Sequence, residues 1–137
     1  MDKQHLSFLN IKKIFNKKII LSDINFSVGE NEIVGLLGPN GAGKTTAFHI
    51  AAGLIYPNKG KVIINGKDIT NKPLHMRAKF GLGYLPQESS IFLDLSVENN
   101  LLGIVELSAT DSQETSKIVT KLIDDFGLSK ILNVKGR

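Results

Sequence analysis

Apolar and polar positions alternate early in the chain, at Leu6, Phe8, Ile14 and Phe15, then at Ile19, Ile20 and Leu21, then at Ile24, Phe26 and Val28. A period of two is that of a half-buried strand, and polar breaks at 16–18 and 29–31 divide the run, so the pattern predicts an antiparallel hairpin region. A short apolar run at 33–37 predicts a further strand. Beyond a glycine-rich stretch the spacing becomes helical, with Ala47, Ile50, Ala51 and Leu54 on one face of a segment 46–54 that Gly53, Pro57 and Gly60 bring to an end. Residues 61–69 then read as strand, Asn65-Gly66 turn and strand. A short helix is expected at 74–80, stopped by Gly81, and a strand at 82–85 running into Pro86.

From Ser96 the character is helical. Ser96 is a good N-cap for 97–105, and Thr110-x-x-Gln113 has the form of a capping box before a helix with Ile118, Leu122 and Phe126 on one face. Gly127 is the expected stop. No internal repeat or low-complexity tract is present.

Composition narrows the class. With 137 residues, 42% of them hydrophobic, the chain has the size and apolar content of one globular domain and is neither disordered nor fibrous. Its formal charge of +4 is partly carried by Lys12, Lys13, Lys17 and Lys18, which flank a turn and read as a solvated hairpin rather than a nucleic-acid patch. The absence of cysteine excludes a disulfide framework and a thiolate metal site. No stretch approaches the roughly 18 apolar residues needed to cross a bilayer, and the first residues lack a signal-peptide core, so a cytoplasmic protein that meets a membrane only through a partner is expected. His5, His49 and His75 have no metal-ligand spacing. The sequon Asn25-Phe26-Ser27 falls within an expected strand and is discounted.

Chemistry is concentrated in Gly38-Pro39-Asn40-Gly41-Ala42-Gly43-Lys44-Thr45-Thr46, which matches G-x-x-x-x-G-K-[ST] after a strand-like run and before a helical one. Gly38, Gly41 and Gly43 let the backbone turn tightly and aim successive N–H groups at an anion. The following helix adds its positive N-terminal end. Lys44 is suited to the β- and γ-phosphates, and the Thr45 hydroxyl to one position on a bound Mg²⁺. The expected ligand is a nucleoside triphosphate. A GTPase is disfavoured because no N-K-x-D motif is present, and Asn71-Lys72-Pro73-Leu74 lacks the acid.

Together with Gly29-Glu30-Asn31-Glu32-Ile33-Val34-Gly35 and Gly83-Tyr84-Leu85-Pro86-Gln87-Glu88, this loop makes the chain resemble the N-terminal part of an ABC transporter ATP-binding subunit. The resemblance covers nearly the whole chain. Within that family, the stretch from Pro73 through Leu101 is most similar to the ATPases of bacterial lipopolysaccharide export; ATPases of branched-chain amino-acid import are the alternative.

The resemblance implies an α/β fold of the phosphate-loop NTPase kind, with 1–87 as antiparallel β subdomain and nucleotide-binding core and 88–137 as part of a helical subdomain. It implies ATP and Mg²⁺ as cofactors, with phosphate contacts from Gly38, Asn40, Gly41, Ala42, Gly43, Lys44, Thr45 and Thr46. Phe15 matches the aromatic that stacks on adenine, and a π-face is what an unselective base platform needs. Gln87 matches the glutamine that senses Mg²⁺ and the γ-phosphate, where an amide coordinates a hard cation without adding charge. Lys44 and Gln87 are the implied catalytic residues, Thr45 and Gln87 the implied metal ligands.

Partners implied by the resemblance are transmembrane permease subunits and a second ATPase subunit, with the protein peripheral on the cytoplasmic face of the inner membrane. Ile91, Phe92 and Leu93 read either as a socket for a permease helix or as local core. The family's L-S-G-G-[QE] signature, apolar strand ending in Asp-Glu and switch histidine are not found. Asp124 and Asp125 follow Leu122 and Ile123 but at helical spacing, and read as a solvated helix face. The chain therefore reads as a truncated subunit, expected to bind nucleotide with little or no turnover alone; a non-catalytic remnant is a further alternative.

Overall fold

The computed structural model describes residues 4–107 and 111–136. The chain divides into two compact units, Met1–Tyr84 and Leu85–Arg137.

In the first unit, β1 (Gln4–Phe15) and β2 (Lys18–Gly29) form the predicted hairpin, with Leu6 opposite Val28, Phe8 opposite Phe26 and Ile14 opposite Ile19. Asn16 and Lys17 close it, both at positive φ (45° and 67°), as a tight hairpin turn of matching twist requires. β3 (Lys59–Ile64) pairs with the other edge of β1, and β4 (Lys67–Asp68) folds back across the Asn65-Gly66 turn, giving an antiparallel sheet of order β2-β1-β3-β4. Helix α1 (Lys44–Ala52) buries Ala47 and Ile50 in a core shared with Phe8, Ile11, Leu21, Val62, Ile64 and Ile69. Phe8 and Phe26 stack at a centroid distance of 4.4 Å with their planes 22° apart.

Strict alternation fails in the middle of β1. Phe8 and Ile11 are both fully buried although they are an odd three positions apart, because the pairing with β2 shifts between them. Asn10 takes φ 51° there, its N–H donating to Asn25 Oδ1 (2.7 Å) and its side-chain amide to Asp23 Oδ1 (2.8 Å). A bulge of this kind adds a residue and returns the next side chain to the core. Asn25, the residue of the sequon, is held in this bulge.

Two predicted strands are corrected. Residues 33–37 and 82–85 form no ladder, and Ile33, Leu37 and Leu85 are 99%, 93% and 88% exposed. A strand exists only through hydrogen bonds to a neighbouring strand, and among the described residues neither segment pairs with one. Helix α2 (Leu74–Ala78) forms as expected, ending before Gly81.

In the second unit, α3 (Val97–Val105) begins at Ser96, whose Oγ accepts from Asn99 N at 3.2 Å. It packs against α4 (Ser112–Asp125), and Val105, Thr115 and Val119 are buried. The predicted capping residue Thr110 lies outside the described residues; the N-cap of α4 is Asp111, whose Oδ1 accepts from Glu114 N at 2.8 Å. The buried face is also rotated from the expected one, since Phe126 is 71% exposed as the residue that ends the helix. Asp124 and Asp125 are exposed on α4, as their spacing predicts.

Candidate nucleotide-binding site

Residues 38–46 run from an exposed loop into the first turn of α1. Gly38 is nearly extended at φ 157°, whereas Gly41 and Gly43 sit at 82° and 91°, in the left-handed region that glycine adopts without strain. At Gly43 the packing adds a second constraint, because a Cβ there would meet Leu21 Cδ2 at 2.7 Å and the Ile20 carbonyl at 3.1 Å. The loop is thereby seated against β2, and the hairpin supports the start of the helix.

Gly43 is the N-cap of α1, no side chain caps the helix, and its first turn holds no acidic residue. The leading N–H groups and the positive end of the helix dipole therefore stand without a counter-charge from their own helix, as an anion site requires. Lys44 Nζ curls over the loop and donates to the carbonyls of Gly38 (2.6 Å) and Pro39 (2.8 Å), which holds one positive charge inside the curve. Ala42 N donates to Pro39 O at 3.2 Å, closing the turn around Asn40 and Gly41. Thr45 is exposed and Thr46 half-buried. This donor set of backbone amides, one ammonium and a hydroxyl fits a chain of phosphates. No trio of His, Cys, Asp or Glu side chains among the described residues gathers to hold a metal. The fitting cation is one such as Mg²⁺, which keeps most of its water and phosphate ligands and needs few protein groups.

Phe15 closes β1 in the same unit, with its ring 43% exposed, so it is not the core residue that its place in the strand also allows. One face of the ring carries Lys13 Nζ at 4.7 Å from the centroid, and that ammonium is steadied by donating to the Tyr56 carbonyl at 2.6 Å. From the sequence alone Lys13 is one of four lysines flanking a solvated hairpin turn. The available signal was its spacing, since residues two apart on a strand share a face.

Gln87 is exposed in an irregular stretch of the second unit. The site residues Gly38, Asn40, Gly41, Ala42, Gly43, Lys44, Thr45 and Thr46 are brought together with one another, Phe15 lies in their unit, and Gln87 lies outside it. Of the histidines, His5 Nδ1 meets Asn65 Oδ1 at 2.7 Å and His49 lies edge-on to Tyr84.

An antiparallel β sheet backing a phosphate loop that opens a helix defines the N-terminal part of a phosphate-loop NTPase. The family of ABC transporter domains matches residues 21–136, and the chain belongs to that family. It is 45% identical over 130 residues to the lipopolysaccharide export system ATP-binding protein LptB of Haemophilus influenzae, covering 93% of this chain and 54% of that protein. The protein of the same name from Escherichia coli K12 is 38% identical over 133 residues, covering 96% of this chain and 55% of that one. Among solved structures, an ATP-binding cassette of an ABC transporter superposes with a TM-score of 0.82 at 25% identity, covering 96% of this chain and 57% of that chain. The chain thus spans about half the length of the curated relatives it matches.

Proposed function

We propose that this chain is the nucleotide-binding part of an ABC transporter ATPase that energises lipopolysaccharide export, with residues 38–46 holding the phosphates of MgATP. The observation that carries the reading is the uncapped, acid-free N-terminus of α1 with Lys44 folded into the loop before it. The transported substrate comes from the relatives, since both those described above are named for lipopolysaccharide export. Lys44 neutralises the β- and γ-phosphates, Thr45 supplies a hydroxyl to Mg²⁺, and Phe15 offers its free face to adenine.

Gln87 acts as metal ligand and γ-phosphate sensor, and with Lys44 it serves the reaction. The partners are transmembrane permease subunits and a second ATPase subunit. Ile91, Phe92 and Leu93, which are 50%, 59% and 50% exposed, form the surface offered to the permease at the cytoplasmic face of the inner membrane. No helix among the described residues is long and apolar enough to cross a membrane.

Calorimetric titration of the chain with MgATP, beside Lys44→Ala, tests the reading. Saturable binding that the substitution weakens at least about tenfold, the loss of one charge-assisted contact, is expected; equal binding by both proteins would refute it. Co-purification with lipopolysaccharide-export permeases, and not with amino-acid importer permeases, tests the transport assignment.

A further inference from the structure

Arg77 is the largest fully buried side chain, 0% exposed on the short helix α2. A buried guanidinium ordinarily needs a carboxylate, and among the described residues none lies within ion-pairing distance of it. Backbone carbonyls take that place. Nη1 donates to Ile50 O (2.6 Å) and Ala51 O (2.7 Å), Nη2 to Thr70 O (2.8 Å) and Nε to Lys72 O (2.6 Å). Two of these acceptors belong to the last turn of α1, the negative end of its dipole, and two to the turn that leads into α2. Gly53 completes the arrangement. It ends α1 at φ 79°, and a Cβ there would meet Arg77 Nε at 2.5 Å and the Lys72 carbonyl at 2.6 Å.

The same nine-residue helix has the phosphate loop at its other end. At about 1.5 Å per residue it is a stiff rod whose far end the guanidinium ties to the following chain. We propose that Arg77 is a positioning residue for triphosphate binding, fixing the direction of α1 from its C-terminal end so that Lys44, Thr45 and the loop amides stand where the phosphates need them, given that 38–46 hold phosphate as proposed above. Five donors in a rigid fork suit this task, because they pin four carbonyls at once in fixed directions. An aliphatic side chain fills the space without pinning them, and a lysine brings the charge with a single, swivelling head.

The test compares the full chain with Arg77→Met, Arg77→Lys and Lys44→Ala, using MgATP titration at a temperature where each is folded and amide NMR shifts across 41–46. Arg77→Met is expected to weaken MgATP by about tenfold, the scale on which a displaced site loses affinity, and to move the amide resonances of 41–46. Arg77→Lys is expected to recover part of both. A folded Arg77→Met with wild-type affinity and unmoved resonances would overturn the proposal. Should Arg77→Met not fold, Arg77→Lys decides, and wild-type values for both readouts overturn it. Wild-type binding that Lys44→Ala leaves intact overturns the phosphate reading itself, whereas loss in Lys44→Ala with no response at Arg77 overturns only the positioning role.

Discussion

Lys13 and Phe15 stand on one face of β1, and the ammonium covers one side of the ring. The adenine platform proposed for Phe15 would therefore use the opposite side, on a ring whose electrons the cation already draws. Phe15→Ala should weaken ATP by about 1–3 kcal/mol, the value of one base stack, while leaving tripolyphosphate binding unchanged; competition titrations with the two ligands separate the base from the phosphates. A parallel loss for both ligands would mean that Phe15 supports the loop instead. Asp68 offers a second residue-scale test. Its carboxyl accepts from the Thr70 hydroxyl (2.6 Å) and the Thr70 amide (3.0 Å), with Lys61 Nζ at 3.6 Å, and these contacts hold it below its ordinary value of 3.8, the hydroxyl contributing most. A depressed carboxyl stabilises the fold above the unfolded-state value and loses that contribution as pH falls through the lower, folded one. Thr70 Oγ1 in turn accepts from Val62 N at 2.9 Å, so protonation loosens the tie between β3 and the turn after β4. The stability difference between wild type and Asp68→Asn, present near neutrality in urea titrations, should begin to shrink as pH falls below 3.8 and be lost once it passes the lower, folded-state value.

Secondary-structure elements show which physical signals travel in sequence. The hairpin, α1 and α3 were legible because their signals are local: a period of two, a period near four, a capping serine and stopping glycines. The phosphate loop was legible for the same reason, being a contiguous run whose chemistry is largely backbone. The bulge at Asn10 was not, because it depends on Asp23 and Asn25 across the ladder. Arg77 was not, because its acceptors Ile50 and Ala51 lie on another helix and nothing in a short polar helix marks one arginine as buried. The apolar runs at 33–37 and 82–85 announced burial without naming a partner, and here they have no ladder. Helix α4 shows how narrow the local margin is. Both Thr110 and Asp111 are good N-cap types, and the helix starts from Asp111. Asp111→Ala should cost about 1 kcal/mol and speed hydrogen exchange at Glu114 N, whose partner is the lost carboxylate. Asp111→Asn, which keeps an acceptor, should restore most of the protection; equal exchange in all three proteins would place the cap elsewhere.

At the scale of the molecule, each unit carries apolar surface that its own residues do not cover. In the first, an apolar hollow of about 240 Å³ lies between the sheet and α1, lined by Leu6, Phe26, Val28, Val34, Ala47 and Phe48. Beside it Ile33 and Leu37 are 99% and 93% exposed on a segment whose backbone has no ladder partner. In the second, Ile104, Leu107 and Phe126 are 60%, 84% and 71% exposed. Unpaired backbone next to exposed branched side chains is a template for adding another strand. The 137-residue chain alone is therefore expected to bind an apolar reporter dye and to self-associate as its concentration rises. Ile33→Asp with Leu37→Asp provides the control. Both side chains are already in water, so the double substitution should change the unfolding free energy by no more than is typical of surface changes, about 0.5 kcal/mol. It should nevertheless reduce dye binding and association, since two charges now interrupt the template. A dye-silent monomer at all concentrations, melting cooperatively above about 50 °C, would show that the chain satisfies this surface by itself. A double variant that unfolds would show that Ile33 and Leu37 pack in solution against residues that they do not touch in this fold.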